Sequence, residues 1–145
     1  MQKFNSATKI GGSLLTLVIL AVVIYLLLPT SPKEASASAV ATPTKLSAEE
    51  GLAFMQETED FVLLDVRSLE EYTARHLPQA VSFPLDLIDD EHTEVLLPEL
   101  DQIIIVYCQS GRRSQMAANM LVELGYTRVY DIGGIVDWPY ETVRG

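Results

Sequence analysis

The sequence predicts an α/β fold, with helices on both faces of a parallel sheet, preceded by one N-terminal transmembrane helix. Three observations carry this prediction. Strand and helix signals alternate between residues 44 and 145, and the β-branched run Ile103–Tyr107 is typical of a strand in the middle of a sheet. Residues 10–28 form an uncharged apolar stretch. Strands separated by helices pair in parallel through right-handed crossovers.

The N-terminal stretch contains 13 Leu, Ile or Val residues among its 19. Its length is close to the roughly 20 residues that cross a hydrocarbon core. Two lysines precede it, whereas Lys33 and Glu34 cancel each other after it. The positive-inside rule therefore predicts a single-pass cell-membrane protein with its domain on the extracytoplasmic side. Residues 35–39 contain small-x-small motifs, so cleavage to a secreted or periplasmic form is the alternative.

Composition divides the chain into three parts. Residues 1–28 are the predicted membrane anchor or signal segment, residues 29–43 a flexible linker rich in Pro, Ser and Ala, and residues 44–145 the folded domain. The domain carries seven Lys or Arg against nineteen Asp or Glu, a formal charge of −12 compared with −10 for the whole chain. Such an acidic domain lacks the basic surface that nucleic-acid binding requires.

The first half of the domain contains two capping boxes, at residues 47–50 and 68–71. They predict short helices that end near Gln56 and His76. Between them, residues 61–66 form an apolar run that ends in polar groups, which indicates a strand buried on both faces.

The second half begins with a weak strand at 80–83, followed by short helices over 85–100. After the central strand, residues 114–124 carry apolar side chains at helical spacing, and Gly125 is a typical residue for ending that helix. A last strand is predicted at 128–132, with a tight turn at the following Gly-Gly pair.

The chemistry is predicted to lie where the central strand gives way to its helix, because open α/β sheets bind ligands at the carboxyl ends of their strands. Cys108, the chain's single cysteine, occupies that position. Successive backbone N–H groups of such a loop form an anion nest, and the helix dipole helps to lower a thiol pKa from about 8.5. The loop continues with Gln109, Ser110, Gly111, Arg112, Arg113 and Ser114.

A lone cysteine after an apolar strand is often inert core filler, and neighbouring arginines are often solvated. The combination of thiol, glycine and two arginines at a strand-to-helix junction instead favours a reactive cysteine that binds a small sulfur or phosphorus oxyanion. Arg112 and Arg113 form a local positive spot in an acidic domain.

Several ordered motifs together resemble the single-domain rhodanese family, over about residues 46–138. These are Cys-x-Ser-Gly-x-Arg-Ser at 108–114, Leu64-Asp65-Val66-Arg67 followed by Glu71-Tyr72, His76-Leu77-Pro78 with Ala80 and Pro84, and Gly133-Gly134 with Trp138.

The resemblance implies a five-stranded parallel sheet and sulfurtransferase activity that needs no cofactor. Cys108 would take sulfane sulfur from thiosulfate or a persulfide and pass it to cyanide or to a thiol, small or on a protein. Backbone amides of residues 109–113 would hold the persulfide and oxyanion, and Arg112 or Arg113 would bind the substrate charge. Arg75 and Gln79 stand where the family commonly has glycines.

The cluster of Asp65, Arg67 and Glu71 is interpreted as structural support, an ion pair with a helix cap, rather than as catalytic carboxylates. His76 is interpreted as a residue that orients a loop. No metal site is predicted, because the spacing of the histidines and acids does not support one.

Two alternative functions stay open. A membrane-tethered module that only carries sulfur or presents an interaction surface would need no turnover. A cysteine-dependent phosphatase or arsenate reductase would use a longer loop of cysteine, five residues and arginine, whereas the sixth residue after Cys108 is Ser114. The sequence leaves open the physiological donor and acceptor, the oligomeric state, and the choice between Arg112 and Arg113.

Overall fold

The computed structural model describes residues 41–145. Within that part of the chain, no helix has both the length and the apolar character needed to cross a membrane. The anchor or signal segment predicted at 1–28, and most of the linker predicted at 29–43, lie outside the described residues and stay predictions.

The domain has five strands and four helices. The strands are β1 (Thr44–Lys45), β2 (Phe61–Asp65), β3 (Val81–Ser82), β4 (Ile103–Cys108) and β5 (Arg128–Gly134). The α-helices are α1 (Ala48–Glu57), α2 (Leu69–Ala74), α3 (Asp90–Leu96) and α4 (Arg112–Glu123), and short 3-10 helices cover Leu85–Leu87 and Ile135–Asp137. All strand pairs are parallel, in the order β1-β5-β4-β2-β3. The five-stranded parallel α/β architecture expected from the sequence is therefore present, with the strand at 103–108 in the middle.

The central strand β4 is buried on both faces of the sheet. Because side chains alternate along a strand, Ile104 and Val106 contribute to one core while Ile103 and Ile105 contribute to the other. The first core also receives the buried face of α4, which includes Leu121. This two-sided burial holds the carboxyl end of β4, and hence Cys108, in a fixed position between the two neighbouring strands.

Three features differ from the sequence predictions. Strand β1 was not predicted, because two residues are too few to produce a periodic pattern. Helix α4 begins at Arg112 instead of Ser114, because the left-handed Gly111 (φ 91°) ends the loop two residues earlier. The Gly133-Gly134 pair is the end of β5 and not a tight turn, although Gly133 has a φ of 85°.

Candidate active site

Cys108 is the last residue of β4, and its side chain is completely buried. The chain then turns through Gln109, Ser110 and Gly111 before α4 begins. The positive φ of Gly111 aims its N–H back towards the thiol, and the N–H donates to Cys108 Sγ at 3.1 Å. The loop therefore wraps its backbone around the sulfur atom at the N-terminal end of a 12-residue helix.

Two opposing effects act on the pKa of the Cys108 thiol. Burial raises the pKa, because a buried thiolate loses its hydration. Hydrogen bonds from the backbone N–H groups of Ser114, Ser110 and Gly111, and from the Ser114 hydroxyl, act in the other direction. Together they outweigh burial, so the pKa of the thiol is below its ordinary value. The loop thus favours the thiolate, which is the nucleophilic form.

Ser114 lies in the first turn of α4 and is buried. Its hydroxyl is within 3.0 Å of the carbonyl oxygen of Gly111 and 3.3 Å of that of Gly133. A hydroxyl has one proton to donate, so it can bridge the loop to β5 or turn to the sulfur. Ser114 thus contacts the groups that shape the loop.

The two loop arginines differ in their contacts within the described residues. The Arg113 guanidinium makes a bidentate ion pair with Glu71, with both N···O distances at 2.7 Å. Glu71 accepts these hydrogen bonds, and they are the largest cause of the lowering of the Glu71 pKa to about 2. Arg112 is exposed and has no ion-pair partner within residues 41–145. Among the described residues, Arg113 is therefore held in an ion pair, whereas Arg112 is not.

Asp65 and Arg67 form a buried ion pair beside the loop, with Arg67 Nε donating to Asp65 Oδ1 at 2.8 Å. The same carboxylate accepts the Tyr107 hydroxyl at 2.6 Å. Arg67 also donates through Nη1 to the side chain of Gln109 at 3.3 Å. This pair ties the ends of β2 and β4 to the first loop residue after Cys108.

Glu71 lies apart from that pair. It completes the capping box of α2 with Ser68, as the spacing predicts, but its ion partner is Arg113, 42 positions away in the sequence.

His76 bonds through Nδ1 to the Tyr72 carbonyl oxygen at 2.9 Å and pairs with Val143 through its backbone.

Sequence reasoning missed two supports of the loop. Gly134 packs so closely that a Cβ there would lie 2.6 Å from the Gln109 carbonyl oxygen and from Ser110 Cα. Lys45 in β1 reaches Asp131 in β5 and lies beside Gly133. The Gly-Gly pair in the sequence was a signal that could have indicated the close packing of Gly134. The contact of Lys45 with Asp131 had no such signal, because 86 positions separate the two residues and no local pattern connects them.

A groove runs beside the loop. It is lined by Arg67 and Arg113 together with apolar side chains, which include Leu85, Met116 and Met120. A molecule that reaches the loop from this side meets apolar surface together with two guanidinium groups, those of Arg67 and Arg113, and the carboxylate of Asp86.

Comparison with known proteins places this geometry in a family. The sequence profile described as "Rhodanese-like domain" matches residues 47–140. The chain belongs to the rhodanese-like domain family. The match includes β2 and β4, the cysteine loop and the Gly-Gly pair.

Curated relatives with this domain are named for sulfur transfer. The chain is 36% identical over 85 residues to "Sulfurtransferase" of Allochromatium vinosum, covering 58% of this chain and 77% of that protein. It is 35% identical over 82 residues to "Thiosulfate sulfurtransferase PspE" of Escherichia coli, covering 57% and 78%. It is 39% identical over 94 residues to "Putative sulfur carrier protein YrkF" of Bacillus subtilis, covering 62% of this chain but only 49% of that protein. These names support a sulfur-transfer function at the level of the family.

The solved structure "rhodanese with anions from E. coli" is 34% identical, with a TM-score of 0.54. The similarity covers 59% of this chain and 99% of that one. The solved structure therefore shares the rhodanese-like fold over most of the described domain.

Proposed function

We propose that this protein is a sulfurtransferase that moves sulfane sulfur from thiosulfate or a persulfide to a thiol or cyanide acceptor through a Cys108 persulfide. The observation that carries the proposal is the enclosure of the Cys108 sulfur by loop N–H groups, with Gly111 N at 3.1 Å. That arrangement stabilises negative charge on sulfur both before and after transfer, because the thiolate and the persulfide are both anions.

The first half-reaction is a displacement at sulfur. The Cys108 thiolate attacks the outer sulfur of thiosulfate, a new S–S bond forms, and the S–S bond of thiosulfate breaks. Sulfite leaves with the electron pair, and the cysteine becomes a persulfide anion. In the second half-reaction, cyanide or a thiolate attacks the outer persulfide sulfur, and Cys108 leaves as the thiolate. No outside oxidant or reductant is needed.

The loop arginines have different parts in this proposal. Arg112, exposed and unpaired among the described residues, binds the sulfonate end of the donor. Arg113, held by Glu71 with N···O distances of 2.7 Å, links α2 to α4 beside the loop. The apolar groove beside Met116 gives a thiol acceptor a surface to contact.

A sulfur-carrier role is the second candidate, and the complete burial of Cys108 favours it. A buried persulfide is protected from water and from stray thiols, so the protein could hold sulfur until a partner opens access. A phosphatase or arsenate reductase is the weaker rival. Its longer loop needs arginine at the position of Ser114.

The test uses the purified full-length chain with thiosulfate and cyanide, and measures thiocyanate. We expect turnover by the wild type and none by Cys108→Ala. A carrier would take up one sulfur without sustained turnover until its partner is added. Cleavage of p-nitrophenyl phosphate without any uptake of sulfur would overturn the proposal in favour of a phosphatase.

We also propose that residues 1–28 hold the domain at the extracytoplasmic face of the cell membrane. Support comes from the uncharged run at 10–28 and from the lysines before it.

A further inference from the structure

The edge strand β1 brings a cation to the cysteine loop. Lys45 Nζ lies 2.8 Å from Oδ2 of Asp131, whose side chain is 5% exposed while that of Lys45 is 61% exposed. The other carboxylate oxygen of Asp131 accepts the N–H of Gly133 at 2.9 Å. One ion pair thus joins β1 to the middle of β5.

The Lys45 ammonium of this ion pair lies close to Gly133 and to Gly111 of the cysteine loop. A Cβ built on Gly133 would be 3.4 Å from Lys45 Nζ, and one built on Gly111 would be 3.9 Å from it. Since the Gly111 N–H contacts Cys108 Sγ, bond lengths of about 1.5 Å place the ammonium at most about 10 Å from the sulfur. That distance is comparable with the Debye length of about 8 to 10 Å at physiological salt.

The charge of Asp131 matters because the donor is an anion. A buried carboxylate beside the loop repels a dianion such as thiosulfate, and little solvent screens it. Of the nearby cations, Arg113 is already paired with Glu71. Lys45 is the group that cancels the charge of Asp131.

We propose that Lys45 is a specificity-determining residue that neutralises Asp131 beside the cysteine loop and so lets anionic sulfur donors approach Cys108. The link to donors rests on the proposed sulfurtransferase function. The electrostatic effect at the sulfur does not, and it can be measured without any sulfur donor.

The test compares alkylation of the thiol by two reagents of similar size, iodoacetate, which is an anion, and iodoacetamide, which is neutral. Cys108 is the chain's only cysteine, so the full-length protein reports this site alone. Both reagents react with the same thiolate, so their rate ratio cancels changes in the thiol pKa and reports the local potential.

We expect Lys45→Met to lower the iodoacetate-to-iodoacetamide ratio about twofold at low ionic strength, as expected for one unit charge about 10 Å away in a mostly aqueous dielectric. Asp131→Asn, which keeps an oxygen for the Gly133 N–H, raises the ratio by a similar factor. The double variant returns towards the wild type, and Lys45→Arg retains the wild-type ratio. At about 1 M salt the differences shrink, because the Debye length falls to about 3 Å.

Arg128→Gln is the matched control, since it removes an exposed cation from the opposite end of β5. Equal ratios in Lys45→Met and Asp131→Asn, or an equal change in Arg128→Gln, would overturn the inference. A folded Cys108 that reacts with neither reagent would contradict it too. If Lys45→Met does not fold, the opposite shift in Asp131→Asn decides. If the alkylation ratios change as expected but the protein takes up no sulfur, the inference about Lys45 holds and the proposed sulfurtransferase function is wrong. If turnover is normal but the ratios are the same in all variants, the proposed function holds and the inference is wrong.

Discussion

Cys108 combines two properties that oppose each other, since burial disfavours a charged sulfur whereas nucleophilic attack requires one. The loop resolves the conflict with N–H groups, which stabilise charge without adding a titratable group. This solution depends on backbone positions, and so on the small residues that let strands and loop approach closely. Gly111 supplies the left-handed turn, and Gly134 supplies the space behind the loop.

The close packing of Gly134 gives a direct prediction. A Cβ in Gly134→Ala would lie 2.6 Å from the backbone of Gln109 and Ser110, so the cysteine loop must move. Because displacements of about 1 Å at a reacting group can cost a hundredfold in rate, we expect thiocyanate formation to fall by roughly that factor.

Gly125→Ala is the control for stability. It places a side chain at φ 99°, which costs about 1 to 2 kcal/mol, but the nearest atoms belong to Leu100 and not to the loop. The two variants are compared by urea unfolding and by kcat/KM. Equal loss of activity in both would show that the effect comes from stability and not from loop position.

The Glu71–Arg113 pair predicts a pH dependence of stability. The pKa of Glu71 in the folded protein is lowered to about 2 from 4.5, so the ionised carboxylate stabilises the fold above about pH 4.5, and this contribution is lost as the pH falls towards 2. Because the pair is partly exposed, we expect Glu71→Gln to reduce the free energy of unfolding by only about 1 kcal/mol at pH 7.

Urea unfolding at several pH values measures this difference. The wild type and Glu71→Gln should converge at about pH 2. The neighbouring Glu70, exposed in the same first helical turn, provides the control substitution Glu70→Gln. A difference that persists unchanged at low pH would contradict the ion-pair explanation.

The elements show which parts of the fold a sequence can predict. Strand β4 and helix α4 were predicted because each has a long periodic or uniformly apolar pattern. Strand β1 has two exposed residues and is defined only by its pairing with β5. Local patterns cannot reveal such an element, because its stability comes from a distant strand.

The same limit applied to the site. The cysteine loop is contiguous, so its composition indicated its chemistry. The partner of Arg113 lies 42 residues away, and sequence reasoning grouped Glu71 with Asp65 and Arg67 instead. Contacts within a contiguous segment were predicted, whereas contacts between residues far apart in the sequence were missed, even where the ion pair is well formed.

The backbone conformation of Gln79, in the turn before β3, predicts how a glycine there would change stability. Gln79 has a φ of 67°, a left-handed conformation that favours glycine, whereas Arg75 has an extended φ of −169°. We expect Gln79→Gly to raise the free energy of unfolding by about 0.5 to 1 kcal/mol, because relief of strain exceeds the entropy cost of glycine.

Arg75→Gly is the matched control, since both residues are exposed. It should lower stability by about 0.5 to 1 kcal/mol, because glycine gains nothing in an extended conformation. Thermal and urea unfolding of both variants measure the two effects. A lower free energy of unfolding in Gln79→Gly would contradict the explanation that the backbone of Gln79 is strained.

Charge is distributed unevenly over the domain. Its formal charge is −12, but four of its seven cations lie at the loop end of the sheet or beside it. They are Lys45, Arg67, Arg112 and Arg113. Three of the four are paired with carboxylates, Lys45 with Asp131, Arg67 with Asp65 and Arg113 with Glu71, so that among residues 41–145 the loop end is close to neutral apart from Arg112. An anionic donor is therefore repelled less at the cysteine loop than over the rest of the acidic surface.

The topology of the chain is testable with a thiol label. Because labelling of the buried Cys108 would report access to its loop as well as topology, the experiment uses Cys108→Ala combined with Asp101→Cys, which introduces a thiol at an exposed position. A membrane-impermeant maleimide should label intact cells if the domain is extracytoplasmic. Labelling that appears only after lysis would contradict the predicted orientation.

The central claim is that Cys108 carries sulfur. Mass spectrometry of the full-length protein after incubation with thiosulfate tests it most directly. We predict one added sulfur atom, located on the peptide that contains Cys108 and removed by cyanide, with none in Cys108→Ala. An unchanged mass in folded, reduced wild-type protein, or an added sulfur that persists in Cys108→Ala, would contradict the claim.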